Sequence, residues 1–255
     1  MSVILFGIHP VCEALKKRPR AFHRVFMIKP RTHSPLKQIV TLAEESGIRY
    51  ELQTPDNLAR MTGSDNHQGV AAEVEPFPLT DVTTLIHAAG NRNTNAFYLV
   101  LDCIQDPQNF GSLIRSAVCS GVQAIVFPKD RSAQITGAVA KASAGAIEHI
   151  KMSRVVNIAS ALADLKKAGI WIAGTSPHGT ENIYGFDFNL DLALVIGGEG
   201  KGMRRRVEKM CDFSLAIPLH GGFDSLNAST AGAVVLFEAM RQRGYGTNAA
   251  MKHDP

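Results

Sequence analysis

Between Ala193 and Gly232 two short apolar runs, Leu194–Ile196 and Leu215–Ile217, each open into a glycine-rich loop. The first loop is Gly197-Gly198-Glu199-Gly200-Lys201-Gly202. The second runs from Pro218 to Asn227 and contains Gly221 and Gly222. Seven of the chain's 22 glycines fall in this stretch. Glycine loses more backbone entropy on folding than any other residue, so such a cluster marks tight turns or close approach of a ligand to the backbone. A buried strand that empties into such a loop fits a cofactor site at the carboxyl edge of a parallel sheet.

The surrounding chain supports that sheet. Tyr98–Leu101, Val122–Phe127, Trp171–Ala173, Leu192–Ile196 and Leu215–Ile217 are short apolar runs. Between them Phe110–Ser120, Thr136–Ala144, Asn157–Lys167 and Asn227–Arg243 have helical spacing. Apolar strands alternating with helices imply a parallel sheet covered on both faces. The fold class is α/β.

The first 75 residues form a smaller α/β pattern. β runs are expected at Val3–Gly7, Arg24–Ile28, Ile48–Leu52 and Val70–Val74. Helices are expected at Pro10–Lys17, Leu36–Ser46 and Pro55–Met61, the last with Thr54 as N-cap and Pro55 at its first position. Pro76 and Pro78, one short helix in DVTTLIHAAG and the polar NRNTN then mark a linker over 76–95. The expected organisation is a domain over 1–75, the linker, a second domain over 96–246 and a polar, frayed tail over 247–255.

Net charge is +4. The basic excess lies at the N-terminus, in Lys16, Lys17, Arg18, Arg20 and Arg24. A basic face there fits a polyanion such as RNA, and equally a solvated edge with no partner. No apolar run approaches the ~18–20 residues of a membrane span. MSVILFGIHP has no basic leader or cleavage pattern, so it reads as a first strand. Cys12, Cys103, Cys119 and Cys211 show no metal spacing and read as buried thiols in a reducing, cytoplasmic compartment, with no metal. The lysine of the first loop lacks Walker A spacing, and no GxGxxG, HExxH or GxSxG is present.

Three stretches are more specific. Asp106-Pro107-x-Asn109-x-Gly111-x-x-x-Arg115 is the first. Leu194-Val195-Ile196-Gly197-Gly198-Glu199-Gly200-x-Gly202 is the second. Ile217-Pro218-Leu219 with Ser225-Leu226-Asn227-x-Ser229 is the third. In this order and spacing they closely resemble the signature motifs of the SpoU/TrmH family, the S-adenosylmethionine-dependent RNA 2′-O-ribose methyltransferases of the SPOUT class. Ser143-Ala144-Gly145-Ala146, Phe237-Glu238-x-x-Arg241-Gln242-Arg243, Gly7-x-His9-x-Val11 and His67-Gln68-Gly69-Val70 extend the resemblance to the branch that modifies a guanosine of 23S ribosomal RNA.

The resemblance implies a C-terminal SPOUT domain whose parallel sheet carries a deep trefoil knot, preceded by a small L30e-like RNA-binding domain. It also implies a homodimer through the knotted domain. Chain physics alone predicts an ordinary doubly wound sheet, because true knots are essentially absent. S-adenosyl-L-methionine is the implied cofactor, held at Gly197, Gly198, Ile217, Gly221 and Leu226; Ile217 and Leu226 are expected to be buried as well. Asn109, Arg115, Glu199, Asn227 and Ser229 map onto catalytic and substrate-positioning residues.

Each role has a plainer counterpart. Asn109 and Asn227 can be helix caps, and Glu199 with Arg115 a structural ion pair. A guanidinium stays protonated, so Arg115 is better suited to gripping a phosphate than to accepting a proton. Gly111 and Ser112 are expected to leave room for RNA beside it. His9 and the basic run belong to RNA recruitment, while His67 and His220 read as structural. Lys201 and Arg204–Arg206 either steer RNA or solvate a helix start. Competing functions are the same chemistry on tRNA, or a catalytically silent RNA-binding or ribosome-assembly protein.

Overall fold

The structure is a computed structural model that describes residues 2–30, 34–89, 95–200, 202–222 and 224–244. Lys201, the polar run at 91–94 and the tail over 247–255 lie outside the described residues.

The elements in chain order are β1 (Val3–Phe6), α1 (Ile8–Lys17), β2 (Phe22–Met27), α2 (Leu36–Glu45), β3 (Tyr50–Leu52), α3 (Pro55–Thr62) and β4 (Val70–Val74). There follow α4 (Val82–Ala89), β5 (Phe97–Asp102), α5 (Pro107–Cys119), β6 (Ala124–Pro128), α6 (Gly137–Ala142), β7 (Lys151–Val155) and α7 (Ile158–Lys167). The last are β8 (Trp171–Thr175), β9 (Glu181–Asn182), β10 (Leu192–Gly197), α8 (Arg205–Glu208), β11 (Phe213–Ala216) and α9 (Ala228–Gln242). None of the described helices is long and apolar enough to cross a membrane.

The chain divides into two compact units. The first comprises Met1–Pro78, Phe110–Arg115 and Gln134–His149. Its sheet has the order β1-β4-β2-β3, with β4 antiparallel to both neighbours and β2 parallel to β3. Phe6, Phe26, Leu58 and Ala71 form a core cluster, with Ile4, Ile28 and Met61 packed against it. Thr54 caps α3 as expected, its hydroxyl accepting from the Asn57 amide at 3.3 Å. Helix α1 starts at Ile8, ahead of Pro10. Proline is tolerated there because first-turn amides have no helical acceptor. Gly111 and residues 142–143 also belong to this unit, and a Cβ on Gly111 would collide with Ala142 and the Ser143 backbone. Its small size therefore serves close packing within this unit.

The second unit comprises Leu79–Asn109, Ser116–Ala133 and Ile150–Pro255. Its seven strands are parallel, in the order β7-β6-β5-β10-β8-β11-β9. All six residues of β5 are buried, as are the first five of β10. Continuous burial on both faces is what a central parallel strand requires, and it explains their unbroken apolar sequence. Strand β7 escaped the sequence reading because it is a short edge strand bearing Lys151 and Arg154. Cys12 is buried, but Cys119 is exposed at the last position of α5, so the expectation of uniformly buried thiols is corrected. All four cysteines are free. Among the described residues no cluster of His, Cys, Asp or Glu could hold a metal.

Candidate active site

The carboxyl ends of β5, β8, β10 and β11 all point to one edge of the second unit's sheet, because the strands are parallel. Strand β5 leads into α5. Asp106 caps that helix by accepting from the Gln108 and Asn109 amides at 3.2 and 3.1 Å, and Pro107 occupies its first position. The helix therefore begins earlier than Phe110. Asn109 is not its cap, which frees the Asn109 side chain.

That side chain is used elsewhere. Its Nδ2 donates to Oε1 of Glu199 at 2.6 Å, across to the loop that follows β10. Asn227 Nδ2 donates to the same Glu199 oxygen at 2.5 Å and to Asn109 Oδ1 at 3.0 Å. The other end of the Asn227 amide caps α9. Its Oδ1 accepts from the Ser229 amide at 2.9 Å, the Thr230 amide at 3.2 Å and the Ser229 hydroxyl at 2.7 Å. Asn227 is thus both cap and site residue. Residues more than a hundred positions apart in the chain meet in one hydrogen-bonded cluster built from the first turn of α5, the loop after β10 and the start of α9.

Arg115 is exposed and, among the described residues, makes no hydrogen bond or ion pair. It lies six residues beyond Asn109 on α5, about 9 Å along the axis and about a third of a turn around it. Glu199 itself is held by the two asparagine amides.

Beside that cluster lies a cavity of about 460 Å³. Gly197, Gly198, Glu199, Gly200 and Gly202 line one side, with Ile217, Leu219, Ser225 and Leu226 on another. Of the expected cofactor residues, Gly197, Gly198, Ile217 and Leu226 are therefore in its wall, and Gly221 is not. Leu226 is 38% exposed and Ile217 is half-buried, so neither is core. Their apolar surface faces the cavity instead, which corrects the expected burial. Thr175 at the end of β8, and Ser176, Pro177 and His178 after it, also line it. The sequence reading passed over them. Their signal is a polar turn with a proline at the end of a buried parallel strand.

The cavity suits a cofactor the size of S-adenosylmethionine, since ligand pockets of about 300–1,000 Å³ hold drug-sized molecules. Gly200 and Gly202 have φ of 77° and 63°, and a Cβ on either would meet nothing within 4 Å. Their backbone is therefore bare where a ligand could approach.

The expected RNA contacts in the first unit are not equivalent. Arg18 is only 16% exposed and pairs with Glu148, itself 3% exposed, at 2.8 Å. It also donates to the Glu75 carbonyl and lies over the Phe77 ring. Its guanidinium is committed to the unit's interior, so its placement among the RNA contacts is corrected. Lys16 pairs with Glu13 at 2.9 Å and Arg24 with Glu51 at 2.8 Å, both at the surface. Lys17 and Arg20 are exposed and have no partner among the described residues. His67 is structural, its Nδ1 accepting from the Gly69 amide at 2.9 Å. Arg204 is tied to Asp102, whereas Arg205 and Arg206 are exposed.

Comparison with known proteins places this geometry. The SpoU rRNA Methylase family matches residues 96–237, and the family of RNA 2′-O ribose methyltransferase substrate binding matches residues 4–80. The chain is 39% identical over 239 residues to the TrmH family protein YacO of Bacillus subtilis (strain 168), covering 94% of this chain and 95% of that one. It is 37% identical over 246 residues to the 23S rRNA (guanosine-2′-O-)-methyltransferase RlmB of Escherichia coli (strain K12), covering 95% of this chain and 100% of that one. Among solved structures, the SpoU methyltransferase AviRb from Streptomyces viridochromogenes in complex with AdoMet superposes with a TM-score of 0.79 at 25% identity, covering 95% and 90% of the two chains. The chain belongs to the SpoU rRNA methylase family, and it is an S-adenosylmethionine-dependent RNA methyltransferase.

Proposed function

We propose that the protein methylates the ribose 2′-hydroxyl of a guanosine in 23S ribosomal RNA. The observation that carries this reading is the Glu199 carboxylate, clasped by Asn109 and Asn227 at the wall of the glycine-lined cavity. The likeness to RlmB over nearly the whole chain supports the choice of guanosine, and the match to a substrate-binding family over residues 4–80 supports an RNA partner.

When bound, S-adenosylmethionine supplies a methyl group on a cationic sulfur, which a hydroxyl oxygen can attack. Gly197, Gly198, Ile217 and Leu226 would hold it. Gly221 belongs to the same loop and remains a candidate contact. The chain's own residues must align the hydroxyl and take up its proton, and alignment alone can account for several orders of magnitude in rate. Both asparagine amides bind Oε1 of Glu199, which leaves Oε2 to accept from the ribose hydroxyl. Asn227 cannot rotate without losing the cap of α9, and Ser229 fastens it through its hydroxyl. Arg115 cannot serve as a base but can clasp a phosphate bidentately and so orient the ribose.

RNA recruitment falls to Lys17 and Arg20, joined by Lys16, Arg24 and His9, all exposed. The homodimer and the trefoil knot belong to this reading too. The position of β10 between β5 and β8, strands that precede it in sequence, supports a chain that re-enters its own sheet. A cytoplasmic location follows from the substrate.

The test is to map 2′-O-methylated positions in total RNA after incubation with the purified protein and labelled S-adenosylmethionine. A single guanosine in 23S RNA is expected. Modification of tRNA alone would move the substrate assignment, and binding of RNA without methylation would sink the catalytic one. Light scattering would check the dimer.

A further inference from the structure

The last residue of β5 is an aspartate with no role in the methyl-transfer site described above. Asp102 is fully buried, at 0% exposure. A lone carboxylate so placed would be strongly disfavoured, and here it is matched. Its Oδ2 accepts from the Arg204 backbone amide at 2.8 Å. Its Oδ1 accepts from Arg204 Nε at 2.7 Å and lies 2.5 Å from the Arg204 terminal nitrogen. One side chain thus binds both the backbone and the guanidinium of one residue.

What Asp102 holds is the far end of the cofactor loop. In the sheet Asp102 is the register partner of Gly197, where that loop begins. Arg204 is where it ends. Between them Gly198 and Gly202 form a bridge, with the Gly202 amide donating to the Gly198 carbonyl at 3.0 Å. A Cβ on Gly198 would collide with the carbonyl of Cys103, so the loop also lies flat on the turn after Asp102. Cys103 takes φ 63° to make that turn. Both ends of the loop that carries Glu199 are therefore fastened at one point on β5, and β5 also leads into the helix bearing Asn109.

The geometry points to Asp102 and Arg204 as positioning residues: they close the cofactor loop and set Glu199 against Asn109 and Asn227, without touching RNA. This rests on the reading of the cavity as the S-adenosylmethionine site. Wild-type calorimetry with the cofactor tests that reading by itself, whereas amide exchange at Gly202 tests the clasp with no ligand present.

Two variants make the test. Arg204→Lys keeps a cation over the buried carboxylate but cannot hold it through two nitrogens. The double variant Asp102→Asn/Arg204→Gln removes both charges together, so no unpaired ion is left if the single variant does not fold. The expected result is faster exchange of the Gly202 amide, weaker cofactor binding and a kcat lower by about 100-fold, with the KM for RNA within about twofold of wild type. A raised RNA KM and a shallower salt dependence, with cofactor affinity and Gly202 exchange unchanged, would make Arg204 a phosphate contact and overturn the proposal. Wild-type values throughout in the double variant would overturn it as well.

Discussion

Asn227 donates its side-chain amide to Glu199 over 2.5 Å while its own carbonyl oxygen caps the first turn of α9. The two jobs can be separated. Asn227→Asp keeps the capping oxygen but sets a second carboxylate against Glu199. Asp is a good N-cap and is favoured by the helix dipole, so against the repulsion from Glu199 the melting temperature should fall less than in Asn227→Ala. Methyl transfer should fall by about 100-fold. Asn227→Ala loses both functions and should also cost about 1 kcal/mol of stability. Single-turnover methylation and thermal melts of the two variants would check this. Equal melting losses would mean that the cap contributes nothing distinct.

Part of this arrangement could be read before any coordinates. The sheet was legible because β5 and β10 are buried on both faces and so must be apolar throughout. Asn109, Glu199, Asn227 and Ser229 were legible through motif resemblance, and the structure brings all four together. Arg115 lacks a partner among the described residues, so its role is not visible in contacts. Three features resisted. The start of α5 was placed too late, at Phe110, because Asp106, Pro107 and Asn109 all suit a helix start, and only the hydrogen bonds distinguish them. Arg18 looked like its basic neighbours because its acidic partner is 130 positions away in sequence. Residues 134–149 cluster with the first unit although they lie between strands of the second, and no local pattern announces such a long-range association.

Arg115 is exposed and has no partner among the described residues, so replacing it should leave stability unchanged. Arg115→Lys is expected to bind S-adenosylmethionine normally and to lose most of its turnover, because a lysine cannot clasp a phosphate bidentately. Calorimetry paired with initial rates measures both. Full activity would remove Arg115 from the mechanism as base and as clamp alike.

Within the basic run, stability and RNA affinity should part company. Arg18→Ala strands the buried Glu148 carboxylate and should cost about 3–5 kcal/mol. Lys17→Ala and Arg20→Ala should leave denaturant midpoints unchanged while weakening RNA binding, each lowering the salt slope by about one phosphate contact. Denaturant titrations and filter binding at two salt concentrations distinguish the groups. RNA affinity lost in a stably folded Arg18→Ala variant would return that residue to the contact surface.

The end of α9 offers a pH readout independent of catalysis. Arg241 donates to Glu238 through two nitrogens at 2.9 and 2.8 Å, and Gln242 adds a third bond at 2.8 Å. Gln242 also ties the helix to the Phe186 carbonyl and the Phe188 amide. The Arg241 bonds first, and then Gln242, pull the Glu238 carboxyl from 4.5 down to about 2. A carboxylate whose pKa is lower in the folded state stabilises the fold above its unfolded pKa and loses that contribution as protons bind. Glu238 should therefore contribute in full above about pH 4.5 and lose its contribution as the pH falls toward 2. Arg241 is largely exposed, so solvent screening keeps the contribution small. Glu238→Gln removes the titrating group while keeping a side chain of similar shape. It should be less stable at neutral pH, and its stability should fall less steeply from pH 4.5 to 2 than that of the wild type. Denaturant midpoints measured across that range test the claim. Parallel acid limbs would show that Glu238 titrates alike in the folded and unfolded chains, and that the C-terminal helix is held by Gln242 and packing alone.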